Sequence, residues 1–94
     1  MKQSIIAKPD NLCYFCARYG NLEKHHCLHG TANRKLADED GLFVWLCHRC
    51  HMQLHDKGIG DKGLQIVAEK AWMSYYGKTE EDFIKRYGKN YILE

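Results

Sequence analysis

The sequence predicts a small α+β domain in which a zinc-clipped core is followed by two C-terminal helices. Three observations predict this class. Two Cys-x-x-Cys pairs, Cys13/Cys16 and Cys47/Cys50, bracket a long segment in the first half of the chain. An apolar, β-prone run at 42–46 leads directly into the second pair. After Gly58, apolar residues recur with helical spacing.

The composition is that of one globular domain. The chain has 94 residues, 45% of them hydrophobic and 28% charged, with a net charge of +2. We assign 1–94 to a single domain, with 13–57 as the core and 61–94 as helical support. No run is long enough for a signal peptide or a membrane span, so we expect a cytoplasmic protein with reduced thiols and no membrane partner.

The core is predicted to contain two strands and two helices. After a loosely structured lead-in at 1–12, a strand at 22–27 carries His25 and His26 near its end. Thr31 is a candidate N-cap of a brief helix through Asp38 that closes at Gly41. The apolar run at 42–46 is the second strand, and a helix follows from Cys50 to about Asp56.

The C-terminal part is predicted to form two amphipathic helices. The first covers 63–76 and stops at Gly77, and the second is capped by Thr79 with Asp82 at the reciprocal position and ends at Gly88. The predicted buried faces consist of Leu64, Val67, Ala68, Ala71, Trp72 and Tyr75 in the first helix and Phe83, Ile84 and Tyr87 in the second.

The two cysteine pairs predict a structural Zn²⁺ site. Zinc prefers four tetrahedral ligands, and a Cys-x-x-Cys turn presents two sulfurs at a suitable separation. The fifth cysteine, Cys27, is expected to pack as a small apolar side chain. The segment 47–51 also matches a haem-attachment pattern. That chemistry needs an exported protein and leaves Cys13 and Cys16 unused, so zinc is the better interpretation.

Two histidine pairs lie beside the cysteine pairs. His51 and His55 are spaced so that they share one face of a helix, about 6 Å apart at Cβ. A third imidazole from the doublet His25-His26 would complete a cation site, leaving the other as a candidate general base. The alternative is that all four are solvated surface histidines. His29 and His48 do not fit the pattern and are interpreted as surface residues or, at most, substrate contacts.

The segments Glu23-Lys24-His25-His26, 41–46 and Cys47-x-x-Cys50-His51-x-x-x-His55 resemble the HNH endonucleases. The resemblance covers about half of the chain, and it is to the subset with a four-cysteine zinc, especially small phage-encoded members. It implies a ββα-metal fold. It also implies that His25, His51 and His55 are ligands of the catalytic metal and that His26 is the general base.

The sequence departs from the family at one position. The family's central Asn commonly begins the second strand and ties the preceding loop into place; in this sequence Gly41 stands at the corresponding position. Asn33 and Asp40 are the candidate substitutes.

The resemblance implies metal-dependent hydrolysis of DNA phosphodiester bonds, with double-stranded or branched DNA as partner. Three imidazoles favour Mn²⁺, Ni²⁺, Co²⁺ or Zn²⁺ over Mg²⁺, although Mg²⁺ stays a candidate. So small a nuclease would need a homodimer to cut both strands. The alternative is a catalytically inactive zinc module that binds nucleic acid or a protein partner.

The candidate phosphate contacts are Arg34, Lys35 and Arg49. Arg34 and Lys35 follow the histidine doublet closely, and Arg49 lies within the second cysteine pair. Lys57 and the C-terminal lysines are expected to be solvated surface charges. No segment resembles a base-reading helix, so the sequence indicates no base specificity.

Overall fold

The computed structural model describes residues 3–92, which form an α+β fold with one two-stranded antiparallel sheet and four helices. The chain order in this range is β1, α1, β2, α2, α3 and α4. The elements are β1 Leu22–His26, α1 Thr31–Asp40, β2 Phe43–Cys47, α2 His48–Lys57, α3 Asp61–Tyr76 and α4 Glu80–Tyr87. The predicted α+β class and the two C-terminal helices are therefore confirmed. Residues 1, 2, 93 and 94 of the predicted domain lie outside the described range.

The register of the sheet separates the two members of the histidine doublet. His25 pairs with Val44 and His26 pairs with Phe43. Because neighbouring residues of a strand point to opposite faces, His25 and His26 begin on different sides of the sheet. The ring of His25 approaches the ring of His51 on α2, with centroids 5.3 Å apart. The face that carries His25 is therefore the one covered by α2.

Helix α1 begins and ends at glycines. Gly30, not Thr31, occupies the N-cap position, and no side chain caps the helix, so the predicted Thr31 cap is wrong. The helix already begins at Thr31, so the N-cap is the residue before it. The φ of +97° at that position suits glycine, because a residue with a side chain is strained there. The helix also extends to Asp40, two residues beyond its predicted end. Gly41 then terminates it in the left-handed conformation, as predicted.

Helix α2 begins earlier than predicted, at His48 instead of Cys50. Cys47 ends β2 and adopts the extended conformation of an N-cap residue, so the strand passes into the helix without a loop. Cys50 consequently lies in the first turn of α2. The same helix then carries His51 and His55, one and two turns from its start.

The core lies between the sheet, α2 and the two C-terminal helices. Cys27 is fully buried within it, as predicted. Val67 and Tyr75 of α3 and Ile84 of α4 are exposed, so their predicted burial is wrong. The buried face of α3 is narrower than the apolar pattern suggested, because α3 packs mainly along one row of residues. The buried side chains of the C-terminal helices are Leu64, Ala68, Glu69, Trp72, Phe83 and Tyr87.

Residues 3–12, the described part of the segment before the first cysteine pair, are held against the core, although they form no helix or long strand. The backbone N–H of Ile5 donates to the carbonyl of Gly41 at 2.9 Å, and the hydroxyl of Ser4 donates to the carbonyl of Phe43 at 2.5 Å. Ile5, Ile6 and Ala7 pack on the core. Residues 3–12 thus have no helix or regular strand, in agreement with a loosely structured lead-in, but they are packed on the core by contacts that the local sequence does not reveal.

A buried carboxylate joins α1 to the C-terminal helices. Asp40 accepts hydrogen bonds from the indole N–H of Trp72 at 2.9 Å, the hydroxyl of Tyr87 at 2.5 Å and the guanidinium of Arg86 at 2.6 and 3.0 Å. These bonds pair the charge that burial would otherwise destabilise. Asp40 thereby links α1 to α3 and α4. None of the helices described here is both long and apolar enough to cross a membrane.

Candidate metal centres

The four paired cysteines come together at the base of the sheet. The Sγ atoms all lie within 4.8 Å of one another in the set Cys13, Cys16, Cys47 and Cys50. The Sγ atoms of Cys16 and Cys47 are 3.7 Å apart. Four tetrahedral Zn–S bonds of about 2.3 Å place sulfurs about 3.8 Å apart. The cluster therefore has the chemistry and spacing of a structural zinc site.

The protonation of the cluster also favours a cation. Burial raises the pKa of the Cys13 thiol, but hydrogen bonds from the backbone of Cys16, Cys47 and Phe15 outweigh it and lower that pKa to about 6. Burial and the neighbouring sulfurs raise the pKa of Cys50 to about 12. Ionisation of one sulfur thus disfavours ionisation of its neighbours, because their negative charges repel. A bound divalent cation would remove this repulsion and stabilise all four sulfurs as thiolates.

A second cluster consists of His25, His51 and His55. One ring nitrogen of each residue lies within 4.8 Å of those of the other two. The Nε2 atoms of His51 and His55 face each other at 3.1 Å. Two metal–nitrogen bonds of about 2.1 Å at tetrahedral to octahedral angles separate the nitrogens by about 3.0–3.4 Å. The three imidazoles that sequence reasoning selected therefore meet in space with a separation suited to one small cation.

His25 is the buried member of this cluster. The residue is 4% exposed, and its Nε2 has no hydrogen-bond partner among the described residues. Burial, followed by the nearby charges of His51 and His55, lowers the pKa of His25 to about 4. The ring is therefore neutral at pH 7. A buried nitrogen without a partner is costly, and binding a cation would satisfy it.

Glu23 fixes the orientation of His51. Its Oε1 lies 2.7 Å from Nδ1 of His51, and its Oε2 lies 3.0 Å from Nδ1 of His48. These hydrogen bonds from His51 and His48 lower the pKa of Glu23, so its carboxylate is charged and accepts. With its hydrogen on Nδ1, His51 keeps the lone pair on Nε2, towards His55. A carboxylate that orients a ligating histidine in this way is common at metal sites.

His26 lies beside the imidazole cluster without joining it. Its Nε2 is 2.9 Å from Oδ1 of Asp38 on α1, and the ring is partly exposed. The Nζ of Lys24 approaches the same Asp38 oxygen at 2.6 Å. His26 also lines one cleft with the three clustered histidines. One histidine of the doublet thus belongs to the cluster, and the other lies beside it, hydrogen-bonded to α1.

The cleft over the histidines has a volume of about 310 Å³. Arg34 lines it, whereas the described lining includes neither Lys35 nor Arg49. Arg34, Lys35 and Arg49 all have exposed side chains, and the first two lie on α1. Arg34 is therefore the one of the three placed to contact a phosphate over the clustered histidines. The lining residues are Lys24, His25, His26, His29, Gly30, Arg34, His51 and His55.

The three residues considered as substitutes for the family's central Asn, which are Asn33, Asp40 and Gly41, are not among the described residues that line the cleft. The amide of Asn33 donates to the carbonyl of Tyr87 at 3.3 Å, and Asp40 is occupied by α3 and α4. Gly41 has a φ of +80°, and a Cβ there would lie 2.6 Å from the carbonyl oxygen of Gln3. An Asn side chain at position 41 would therefore require the lead-in to move.

The two remaining histidines are on the surface, each beside a carboxylate. His48 Nδ1 contacts Glu23, and its side chain is 72% exposed. His29 Nε2 is 2.7 Å from Oδ1 of Asp61 at the start of α3, and its ring borders the cleft.

Sequence reasoning did not identify the contacts of Glu23 and Asp38. Glu23 had a local signal, because it is two residues before His25 and shares its face of β1. Asp38 had none, since its contact with His26 joins β1 to α1 across 12 residues.

Comparisons with known proteins give no further identification. The chain matches no family model, and neither curated proteins nor solved structures show significant similarity to it.

Proposed function

We propose that this protein is an HNH-type, metal-dependent endonuclease that hydrolyses DNA phosphodiester bonds. One observation carries the proposal: ring nitrogens of His25, His51 and His55 converge while His26 stays outside their cluster but borders the same cleft. A purely structural site has no need of a further imidazole beside its ligands. The proposal is supported by the chain order of β1, β2 and α2, with α1 inserted in the connection between the strands and α2 packed on the sheet, which is compatible with the ββα-metal core of that family.

The two clusters would have separate tasks. Cys13, Cys16, Cys47 and Cys50 would hold a structural Zn²⁺ that fixes the base of the long segment between the pairs. The three imidazoles would hold a divalent cation. When bound there, that cation would stabilise negative charge on the phosphate and on the departing 3′ oxygen. Nitrogen ligands favour Ni²⁺, Co²⁺, Mn²⁺ or Zn²⁺ over Mg²⁺.

The side chains around the cleft would carry the proton transfer and orient the substrate. His26 would accept a proton from water, whose oxygen then attacks phosphorus and displaces the 3′ oxygen, leaving a 5′ phosphate. Arg34 would contact a phosphate oxygen. Glu23 would keep His51 in the required tautomer. Because the cleft is a single site, a homodimer would be needed to cut both strands at once.

The alternative function is a zinc module that binds nucleic acid or protein without catalysis. The observation in its favour is Gly41, where the left-handed backbone and the contact with Gln3 leave no space for the family's Asn. It does not account for His26, which an inactive module would not need beside His25.

Plasmid nicking tests the proposal. The wild type, His26→Ala and a surface control, Glu81→Gln, are assayed with Mn²⁺, Ni²⁺ and Mg²⁺, with circular dichroism to verify folding. Glu81 is suitable because it is exposed on α4 and lies outside the described lining of the cleft. We expect nicking by the wild type and Glu81→Gln, with a loss of about 10²–10⁴-fold in His26→Ala. Equal nicking by all three would contradict the role of His26, and no nicking with any cation would favour the inactive module.

A further inference from the structure

Asp38 makes the contact that determines how the ring of His26 is held. Its Oδ1 lies 2.9 Å from Nε2 of His26 and 2.6 Å from Nζ of Lys24. Lys24 and His26 are alternate residues of β1 and therefore share one face of the strand. Asp38 lies one helical turn after Arg34, which borders the cleft, so the two residues share one face of α1. The carboxylate thereby ties α1 to the end of β1 next to the clustered imidazoles.

The contact specifies which nitrogen of His26 carries the hydrogen. The hydrogen bond from Lys24, and a weaker one from His26, lower the pKa of Asp38 below its ordinary value despite partial burial. Asp38 is thus ionised at neutral pH and can only accept hydrogen bonds. The Nε2 of His26 must then donate. In a neutral imidazole the other nitrogen, Nδ1, consequently carries the lone pair.

We propose that Asp38 is a positioning residue that acts through His26, holding Nε2–H against α1 and leaving Nδ1 as the proton acceptor. This inference rests on the proposed function, because it assigns an orientation to the base of that reaction. In the step concerned, an O–H bond of water breaks, its proton bonds to Nδ1, and the water oxygen bonds to phosphorus as the P–O3′ bond breaks. Asp38 stabilises the resulting imidazolium through the same hydrogen bond.

Asp38 also connects the segment between the strands to the histidine doublet, a role that Gly41 cannot take because it has no side chain. Asn33 bonds to the carbonyl of Tyr87, and the carboxylate of Asp40 is occupied by α3 and α4. Asp38 is the α1 residue whose side chain reaches the histidine doublet. The segment between β1 and β2 is thus tied to the candidate base by a carboxylate in a helix.

A simpler interpretation is that Asp38 only forms a surface ion pair with Lys24. Such pairs contribute little to stability, and this one would then have no effect on catalysis. A double-mutant cycle separates the two interpretations, because a residue that acts through His26 has no effect once His26 is removed.

The experiment measures kcat and KM for nicking by the wild type, Asp38→Ala, His26→Ala and the double variant. We expect Asp38→Ala to lower kcat about 10–100-fold with KM within about twofold, and the double variant to match His26→Ala. Asp38→Glu, which retains a carboxylate, should recover part of the loss, whereas Asp38→Asn, which has no charge and can present N–H donors to Nε2, should not. Glu39→Ala is the matched control, since Glu39 is the neighbouring exposed carboxylate and pairs with Arg86. Equal losses from Asp38→Ala with and without His26 would overturn the inference.

A readout that needs no activity is the ¹⁵N NMR spectrum of the histidine rings. We expect His26 to carry its hydrogen on Nε2 in the wild type and to become a mixture of tautomers in Asp38→Ala. A hydrogen on Nδ1 in the wild type would overturn the inference even if the enzyme nicks DNA. A wild type that never nicks DNA would overturn the proposed function and the catalytic role of Asp38 together, whatever the tautomer.

Discussion

Oε1 of Glu23 lies 2.7 Å from Nδ1 of His51, and this hydrogen bond connects the first strand to the helix that carries two of the clustered imidazoles. His25, two residues after Glu23, enters the same cluster from the strand. One strand thus provides both a metal-binding candidate and the carboxylate that orients another. In the proposed site, the affinity of the three imidazoles for a cation would therefore depend on Glu23, which is not itself a ligand.

Replacing Glu23 should therefore weaken the second metal site without affecting the first. In Glu23→Ala, His51 loses its acceptor and its ring is free to rotate or change tautomer. We expect Ni²⁺ or Mn²⁺ to bind about 10–100-fold more weakly, as measured by titration calorimetry on the zinc-loaded protein. Glu39→Ala should bind as the wild type does. Unchanged affinity in Glu23→Ala would show that Glu23 does not orient a ligand.

The cysteine cluster should be needed for the imidazole cluster, because α2 begins in one and continues into the other. We expect Cys47→Ser to lose its zinc and to bind the second cation more weakly. Cys27→Ala, which removes a buried sulfur outside the cluster, should keep one zinc and cost about 1 kcal/mol of stability. Native mass spectrometry and thermal unfolding measure both effects. Zinc retained by Cys47→Ser at the wild-type level would contradict the assignment.

Asp40 should be among the most important side chains for stability. Asp40→Ala would leave the partly buried Arg86 with only the exposed Glu39 as a carboxylate partner and the indole N–H of Trp72 without its acceptor. We expect the free energy of unfolding to fall by about 3–5 kcal/mol, as for other broken buried pairs. Urea unfolding followed by tryptophan fluorescence measures it, with Glu39→Ala as the exposed control. A loss below about 1 kcal/mol would be inconsistent with a buried connection.

Glu69 should make stability depend on pH. Burial raises its pKa above the ordinary value of 4.5, and Oε1 accepts from the backbone N–H of Tyr91 at 2.6 Å. Because the folded protein binds this proton more tightly, the contribution of Glu69 is fully present below pH 4.5 and is lost as the pH rises through the folded pKa. Glu69→Gln stays neutral.

The stability of Glu69→Gln relative to the wild type should therefore increase from pH 4.5 towards pH 7. Urea midpoints across that range measure the difference. Glu81→Gln, an exposed change on α4, should show no such trend. A difference that is constant or decreases with pH would mean that Glu69 does not titrate as its burial implies.

Features set by local sequence were predictable. Thr79 and Asp82 form the reciprocal cap, and Gly77 and Gly88 end their helices, because each depends on residues at most a few positions apart. The spacing of His51 and His55 likewise determines their shared helix face. The resemblance to HNH nucleases supplied the third imidazole, which spacing alone left open between His25 and His26.

Features set by packing were not predictable. The contact of Asp38 with His26 depends on how α1 folds back over β1, and the bonds to Asp40 depend on two helices far along the chain. The exposure of Val67, Tyr75 and Ile84 has the same cause, since an apolar pattern does not reveal how wide the covering surface is. Gly30 replaced Thr31 as the cap because the backbone angle there depends on the turn after β1.

Anomalous diffraction from crystals soaked in Mn²⁺ or Ni²⁺ tests the central claim most directly, because it locates each ion relative to its ligands. We expect zinc among Cys13, Cys16, Cys47 and Cys50, and the added ion within about 2.2 Å of one nitrogen each of His25, His51 and His55. The ring of His26 should lie next to that ion without binding it. An added ion located elsewhere, or bound by His26, would contradict the proposed catalytic site.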